Sequence, residues 1–253
     1  MSNFINLTLD NLEVEHLCCA IADKKHQRGV ESKKIWLTDR IKEGHVFRKL
    51  DAKGKIFIEY SPLETAWVPI IGDNYVYIYC LWVSGSFKNK GYGKELLQYC
   101  LDEAKEQKKS GICIISSKKK KPFLSDKKFI EKFGFVTVDS IGDDYELLAL
   151  SFDGSIPKFN EVARQGTIDS QELTIFYSLQ CPYILNCIEE VKNYCERESV
   201  PLSLIEVKSS SEAKGIPCVF NNWAVFYKGE FKTLHLLNEG YLKKMLDINM
   251  EVK

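Results

Sequence analysis

The chain has no net charge: 35 Lys and Arg face 35 Asp and Glu among 253 residues. That balance removes a general electrostatic case for nucleic acid or an anionic membrane as partner. No stretch is apolar for long enough to span a bilayer. Met1-Ser2-Asn3-Phe4-Ile5-Asn6 puts no basic segment ahead of an apolar run, so a secretory leader is not expected. Histidine is scarce; His16, His26, His45 and His235 lie scattered without ligand spacing, and no metal site is expected. The nine cysteines are odd in number and lack zinc-finger spacing. Without an export signal they are expected to be mostly reduced and the chain cytoplasmic. The P-loop pattern is missing, and so is the three-glycine dinucleotide fingerprint with its downstream acid. What is present is an ordinary globular composition, 45% hydrophobic, in a chain long enough for two domains or one large one.

The most informative stretch is Leu81-Trp82-Val83-Ser84-Gly85-Ser86-Phe87-Lys88-Asn89-Lys90-Gly91-Tyr92-Gly93-Lys94. Tyr75 to Val83 before it is apolar on both faces, as a central sheet strand is. After it, Leu96, Leu97, Cys100, Leu101 and Ala104 form one helical stripe, with Lys108, Lys109 and Gly111 as end signals. Strand, glycine turn and helix in that order make an anion site. The first helical amides and the positive end of the dipole converge on the turn. Gly91 and Gly93 let a ligand approach the backbone, and Lys88, Lys90 and Lys94 add positive charge. A phosphate-bearing cofactor suits it. The alternative is a plain tight connection with surface lysines.

Around this turn the pattern predicts an α+β unit. A strand at Ile5 to Leu9 leads into a helix capped by Asp10 or Asn11 and running through Cys18 and Cys19. A second helix covers Glu31 to Lys42. Strands follow at Val46 to Leu50 and Lys55 to Tyr60, then the central strand, the turn and its helix. Ile112 to Ser116 is a short strand, and Lys118 to Lys121, closed by Pro122, a loop. Phe135 to Val138 and Tyr145 to Phe152 form a hairpin. Residues 153–171 lack periodicity and read as a linker in which Phe159 and Val162 can pack on a neighbour. The remainder starts afresh: a strand at Leu173 to Ser178, a helix opened by Cys181-Pro182 and running to Glu198, and a strand at Leu202 to Val207. Pro217-Cys218 then leads into Val219-Phe220, a hairpin begins at Ala224 to Tyr227, and a helix covers Glu239 to Leu246.

Lys88-Asn89-Lys90-Gly91-Tyr92-Gly93 resembles motif A of the GNAT acetyltransferases, Gln/Arg-x-x-Gly-x-Gly/Ala, with Lys88 in place of the usual Arg or Gln. Leu81, Trp82 and Val83 resemble the splayed strand whose backbone pairs with the pantetheine arm. Asp126 to Phe135 resembles the helix and Phe-Gly-Phe turn that follow. The resemblance implies a mixed central sheet with helices on both faces over residues 1–152. It also implies acetyl-CoA as cofactor, held by Leu81, Trp82, Val83 and Lys88 to Lys94, and an amine-bearing acceptor, small molecule or peptide. Ile130 stands where many members carry the tyrosine that reprotonates the leaving thiolate, so that role is vacant or moved.

Residues 172–253 are similar to the YoaP-type domain that follows certain GNAT domains, and their element order is that of thioredoxin-like folds. That resemblance puts Cys181 at the nucleophile position and Pro217 at the place of the facing cis-proline. Cys187 is six residues on rather than three, so a degenerate scaffold is as good a reading as a redox site; a Cys181–Cys218 pairing is a further option.

The central strand carries no carboxylate, so an amine's base must come from elsewhere. Glu59 and Glu64 are the acidic candidates, acting through water, against the plain reading of solvated acids. Cys80 is a candidate thiol acid or inert packing. The sequence therefore points to an N-acetyltransferase. Two alternatives stay open, a CoA-binding sensor or assembly module without catalysis and a thiol oxidoreductase working through its C-terminal part.

Overall fold

The structure is a computed structural model and describes residues 3–17, 20, 24–121 and 124–246. Cys18, Cys19 and Pro122 lie outside the described residues. In chain order its strands and helices are β1 Phe4–Asn6, α1 Gln27–Lys42, β2 Val46–Leu50, β3 Ile56–Pro62, β4 Ile70–Ile71, β5 Tyr75–Val83, α2 Tyr92–Glu106, β6 Gly111–Ser117, α3 Lys127–Glu131, β7 Val136–Ile141 and β8 Tyr145–Ser151. They continue with β9 Lys158–Phe159, β10 Leu173–Tyr177, α4 Ile184–Arg197, β11 Leu202–Glu206, α5 Ser210–Lys214, β12 Trp223–Tyr227, β13 Glu230–Thr233 and α6 Glu239–Leu246.

Seven strands form a mixed sheet in the order β1-β2-β3-β5-β6-β8-β7, with β5 and β6 its parallel pair. The expected apolar run of β5 splits cleanly between the two faces. Val76, Ile78, Leu81 and Val83 join the layer under α2 and α3. Tyr75, Tyr77 and Tyr79 join the opposite layer, with Trp36 and Leu37 of α1. α2 buries the stripe that the sequence predicts, Leu96, Leu97, Cys100, Leu101 and Ala104.

The second sheet has the order β11-β10-β12-β13; β10 runs parallel to β11 and antiparallel to β12. Strand alternation divides β12 between two cores. Trp223 and Val225 pack under α4 and α6, while Ala224 and Phe226 belong to the same hydrophobic layer as Tyr77, Trp36 and Phe47 of the first sheet. The two sheets therefore share one apolar layer, and the segment between them is part of it. β9 pairs with β4, and Phe159 and Ala163 are buried. The linker expected over residues 153–171 therefore packs against its neighbours as a strap.

Other expectations move at their edges. α1 starts at Gln27 rather than Glu31, and α4 starts at Ile184, leaving Cys181 in the loop before it. The stretch after Thr8 forms turns in which Asn11 Oδ1 accepts from Thr8 N at 2.8 Å. Val219 and Phe220 are buried loop residues, not strand. Helix α5 has no counterpart in the expectation. No peptide bond among the described residues is cis, so Pro217 follows a trans bond.

Candidate active site

Strands β5 and β6 pair only from Tyr75 opposite Gly111 to Tyr77 opposite Cys113. Beyond that point β5 stays paired with β3 as far as Val83, and β6 stays with β8 through Ser117. The two parallel strands therefore diverge, and the β6-facing edge of β5 from Ile78 onward has no partner strand. The divergence coincides with a bulge. Glu59 lies opposite Cys80 and Tyr60 opposite Ile78, so Tyr79 is an extra residue in β5. A bulge bends its strand and re-aims its side chains.

The wedge between the strands ends on the glycine turn. Lys88 is extended, Asn89 has φ 61° and Gly91, the residue before α2, has φ 86°. No side chain caps α2, and its first intrahelical bond runs from Glu95 N to the Gly91 carbonyl at 3.1 Å. The amides ahead of Glu95 have no carbonyl within the helix to receive them. A Cβ built on Gly91 would meet nothing within 4 Å, so that flank of the turn is open to a ligand. Gly93 is enclosed instead, with Phe129 at 3.4 Å and Val83 at 3.7 Å from such a Cβ. Lys88, Asn89, Lys90 and Lys94 are exposed around the turn, and Tyr92 is half-buried. These features suit the diphosphate of a nucleotide cofactor. In the lysine run beyond β6, Lys118 faces Asp143, Lys120 faces Asp126 and Lys121 faces Asp144.

On the other face of β5 a cavity of about 240 Å³ lies between the two sheets. The first sheet contributes Phe57 and Glu59 of β3 and Tyr79, Cys80, Leu81 and Trp82 of β5, with Lys33 of α1 and Lys55 beside them. The second unit contributes Gln180, Cys181, Tyr183, Asn221 and Asn222. Glu59 lines it and is fully buried. Its Oε2 accepts from Lys33 Nζ at 2.8 Å and Gln180 Nε2 at 2.9 Å, and its Oε1 is 3.0 Å from His45 Nε2. Burial pushes the Glu59 carboxyl up, but the Lys33 ammonium and the His45 hydrogen bond outweigh it and bring the pKa to about 2. Burial pushes the His45 imidazole down, so its neutral ring donates to Glu59 through Nε2. Glu59 is thus ionised at neutral pH and a weak base.

The remaining expected residues separate. Glu64 is not in this cavity: its Oε1 caps the turn before β5 by accepting from Asn74 N at 2.8 Å. Cys80 is half-buried on the cavity wall. Ile130 is 0% exposed in the core beneath α2, so that position offers neither a hydroxyl nor access. Cys181 lines the cavity, but burial raises its thiol pKa, the opposite of an activated nucleophile. Cys218 is buried in the shared apolar layer and its thiol is likewise raised by burial, and both are free thiols.

The sequence reading misses Lys33, His45, Lys55, Gln180, Tyr183 and Asn222. Lys33 lies on a helix rich in charge and reads as solvated. The only local signal is Glu59 itself, a lone charge between Ile58 and Tyr60 in an apolar strand.

A family model described as acetyltransferase (GNAT) family matches residues 18–135, and one described as YoaP-like matches residues 201–244. An uncharacterized N-acetyltransferase YoaP from Bacillus subtilis (strain 168) is 38% identical over 246 residues, 96% of this chain and 98% of that protein. Among solved structures, a GNAT family acetyltransferase from Brucella melitensis in complex with acetyl-CoA is 14% identical. That match covers 63% of this chain and 94% of its own, with a TM-score of 0.41. The PaiA N-acetyltransferase from Thermoplasma acidophilum in complex with coenzyme A is 18% identical over 59% of this chain and 99% of its own, with a TM-score of 0.42. With 38% identity to the Bacillus N-acetyltransferase over nearly its whole length, and a GNAT family model matching residues 18–135, the chain belongs to the GNAT acetyltransferase family.

Proposed function

We propose that this protein transfers an acetyl group from acetyl-CoA to a primary amine. The observation that carries the reading is the divergence of β5 from β6, which leads to an uncapped helix N-terminus with an open glycine flank. In this reading the amides of the turn from Lys88 to Lys94 hold the diphosphate. The free edge of β5 at Leu81, Trp82 and Val83 pairs with the pantetheine arm. Acetyl-CoA supplies an activated thioester. Backbone N–H groups of β5 near the Tyr79 bulge orient and polarise its carbonyl.

The acceptor amine enters the cavity on the other face of β5. Glu59, held at a pKa of about 2, does not serve as its proton acceptor; it is a positioning residue that fixes Lys33 and Gln180. The apolar walls and neighbouring ammonium groups favour the uncharged form of a bound amine, and its proton leaves to water. Cys80, on the cavity wall, is the candidate to return a proton to the departing thiolate in place of the missing tyrosine.

We divide the chain into a catalytic unit of residues 1–152, a strap of 153–171 and a second unit of 172–253. A thioredoxin-like scaffold for the second unit is supported by its strand order, with β10 central between parallel β11 and antiparallel β12. The raised thiols of Cys181 and Cys218 argue against redox chemistry there. The test is an amine screen with acetyl-CoA, following release of the free thiol. Amine-dependent release supports transfer. Coenzyme binding without release for any amine means a sensor or assembly module instead.

A further inference from the structure

The cavity has a charge imbalance that bears on which acceptor it takes. Two lysines and one carboxylate line it. Lys33 is matched by Glu59 at 2.8 Å. Lys55 has no such partner: among the described residues no carboxylate lies within ion-pair distance of it. Its Nζ instead donates to the neutral Tyr183 hydroxyl at 2.8 Å and lies 5.5 Å from the centre of that ring. Among the described residues this half-buried lysine meets a phenol and no carboxylate, and the surrounding apolar wall raises the value of an anionic partner.

The wall opposite Lys55 belongs to the second unit and is fixed from both sides. Gln180 bonds Glu59 at 2.9 Å, Asn222 bonds Gln180 at 2.8 Å, and the Tyr77 hydroxyl donates to Asn221 Oδ1 at 2.7 Å. A cavity of about 240 Å³ walled in this way accommodates a body the size of an amino acid.

We propose that the second unit closes the acceptor site and that Lys55 selects a small amine carrying an anionic group on an apolar body. The inference rests on the acetyl-CoA reading above. An incoming carboxylate takes the Lys55 hydrogen bond now made to Tyr183, while the body fills the space among Phe57, Trp82 and Leu124. The same residues explain why the second unit is built onto the first: without Gln180 and Tyr183 this face of β5 would be open.

The test uses the full chain with acetyl-CoA and two matched pairs: phenylalanine against phenethylamine, and leucine against isoamylamine, plus a short peptide with one internal lysine. The expected result is at least a tenfold higher kcat/KM for the carboxylated member of each pair and negligible use of the peptide. Lys55→Met should erase the ratio, whereas Tyr183→Phe, which frees the ammonium, should keep it. Cys181→Phe, filling the cavity from the second unit, should raise KM for phenylalanine more than for leucine. Coenzyme Kd, measured in parallel by titration, should be unchanged in all three variants. Equal use of both members of the pairs, no use of any of them, or preferential use of the peptide would overturn the proposal. So would a Lys55→Met variant that keeps the ratio but loses coenzyme affinity, since Lys55 would then serve the cofactor. Failure of the coenzyme titration in the wild type would instead remove the underlying acetyl-CoA reading.

Discussion

Gly29 gives the sharpest test of how the two sheets are joined. It is the third residue of α1, and glycine within a helix costs up to about 1 kcal/mol relative to alanine. On helix propensity alone Gly29→Ala should stabilise the chain. The structure reverses the sign. A Cβ at Gly29 would lie 1.9 Å from the Pro182 carbonyl oxygen and 2.8 Å from its carbonyl carbon, both backbone atoms of the second unit. Backbone cannot rotate out of the way as a side-chain end can, so α1 and the loop before α4 must part by roughly 1 Å or more. Overpacking of this kind costs about 1–3 kcal/mol, and a clash with backbone belongs at the upper end. After the propensity gain, a net loss of about 2 kcal/mol remains, or a Tm lower by roughly 4–8 °C for a chain of this size. Thermal unfolding followed by circular dichroism reads it directly. Because Pro182 lies between Cys181 and Tyr183, the acceptor KM should rise as well. A Gly29→Ala protein with a higher Tm would refute the close approach and with it the shared architecture.

Other outcomes follow from the buried charges and thiols. Glu59 is depressed from an ordinary value of 4.5 to about 2, so its contribution to stability is fully present above pH 4.5 and fades as pH falls toward 2; His45, depressed by burial, adds a loss that begins below its ordinary 6.5. Urea midpoints should therefore fall steadily from pH 6.5 downward, and a flat profile between pH 6 and 3 would contradict the buried network. Glu59→Gln leaves Lys33 buried without its counter-ion and should cost about 3–5 kcal/mol in equilibrium unfolding; a loss below 1 kcal/mol would mean that the pair is solvated. Cys181 should alkylate with iodoacetamide at pH 7.5 more slowly than a free cysteine peptide, because burial raises its thiol, and a faster reaction would revive the oxidoreductase reading.

The parts of this molecule legible in sequence are those whose causes are local. Strand β5, the turn at Gly91 and the stripe of α2 lie in one contiguous stretch, and each residue's reason for being there is a near neighbour. The start of α1 has no local cause: Gly29 accommodates Pro182, far along the chain. Phe159 gave no periodic signal because β9 is two residues long and gains its stability from burial against β4 and the shared layer. Helix α5 does carry a local sign. Ser209 Oγ accepts from Glu212 N at 3.1 Å and Glu212 Oε2 accepts from Lys208 N at 2.8 Å, a Ser-x-x-Glu capping arrangement. The acceptor cavity was least legible. Glu59 stood out as a charge in an apolar strand, but Gln180, Tyr183 and Asn222 sit in loops whose meaning appears only when the second sheet is laid against the first.

The coenzyme site is the claim on which the rest stands, and titration calorimetry with CoA tests it most directly, comparing wild type with Gly91→Asp. The left-handed φ of 86° at Gly91 and the open space beside it admit a small polar residue with modest strain, so the variant should fold. Its carboxylate would occupy the flank meant for phosphate and repel it at a helix N-terminus. The account predicts saturable binding in the wild type and at least a thirtyfold weaker Kd in the variant, equivalent to about 2 kcal/mol. Equal affinities in the two proteins would contradict it.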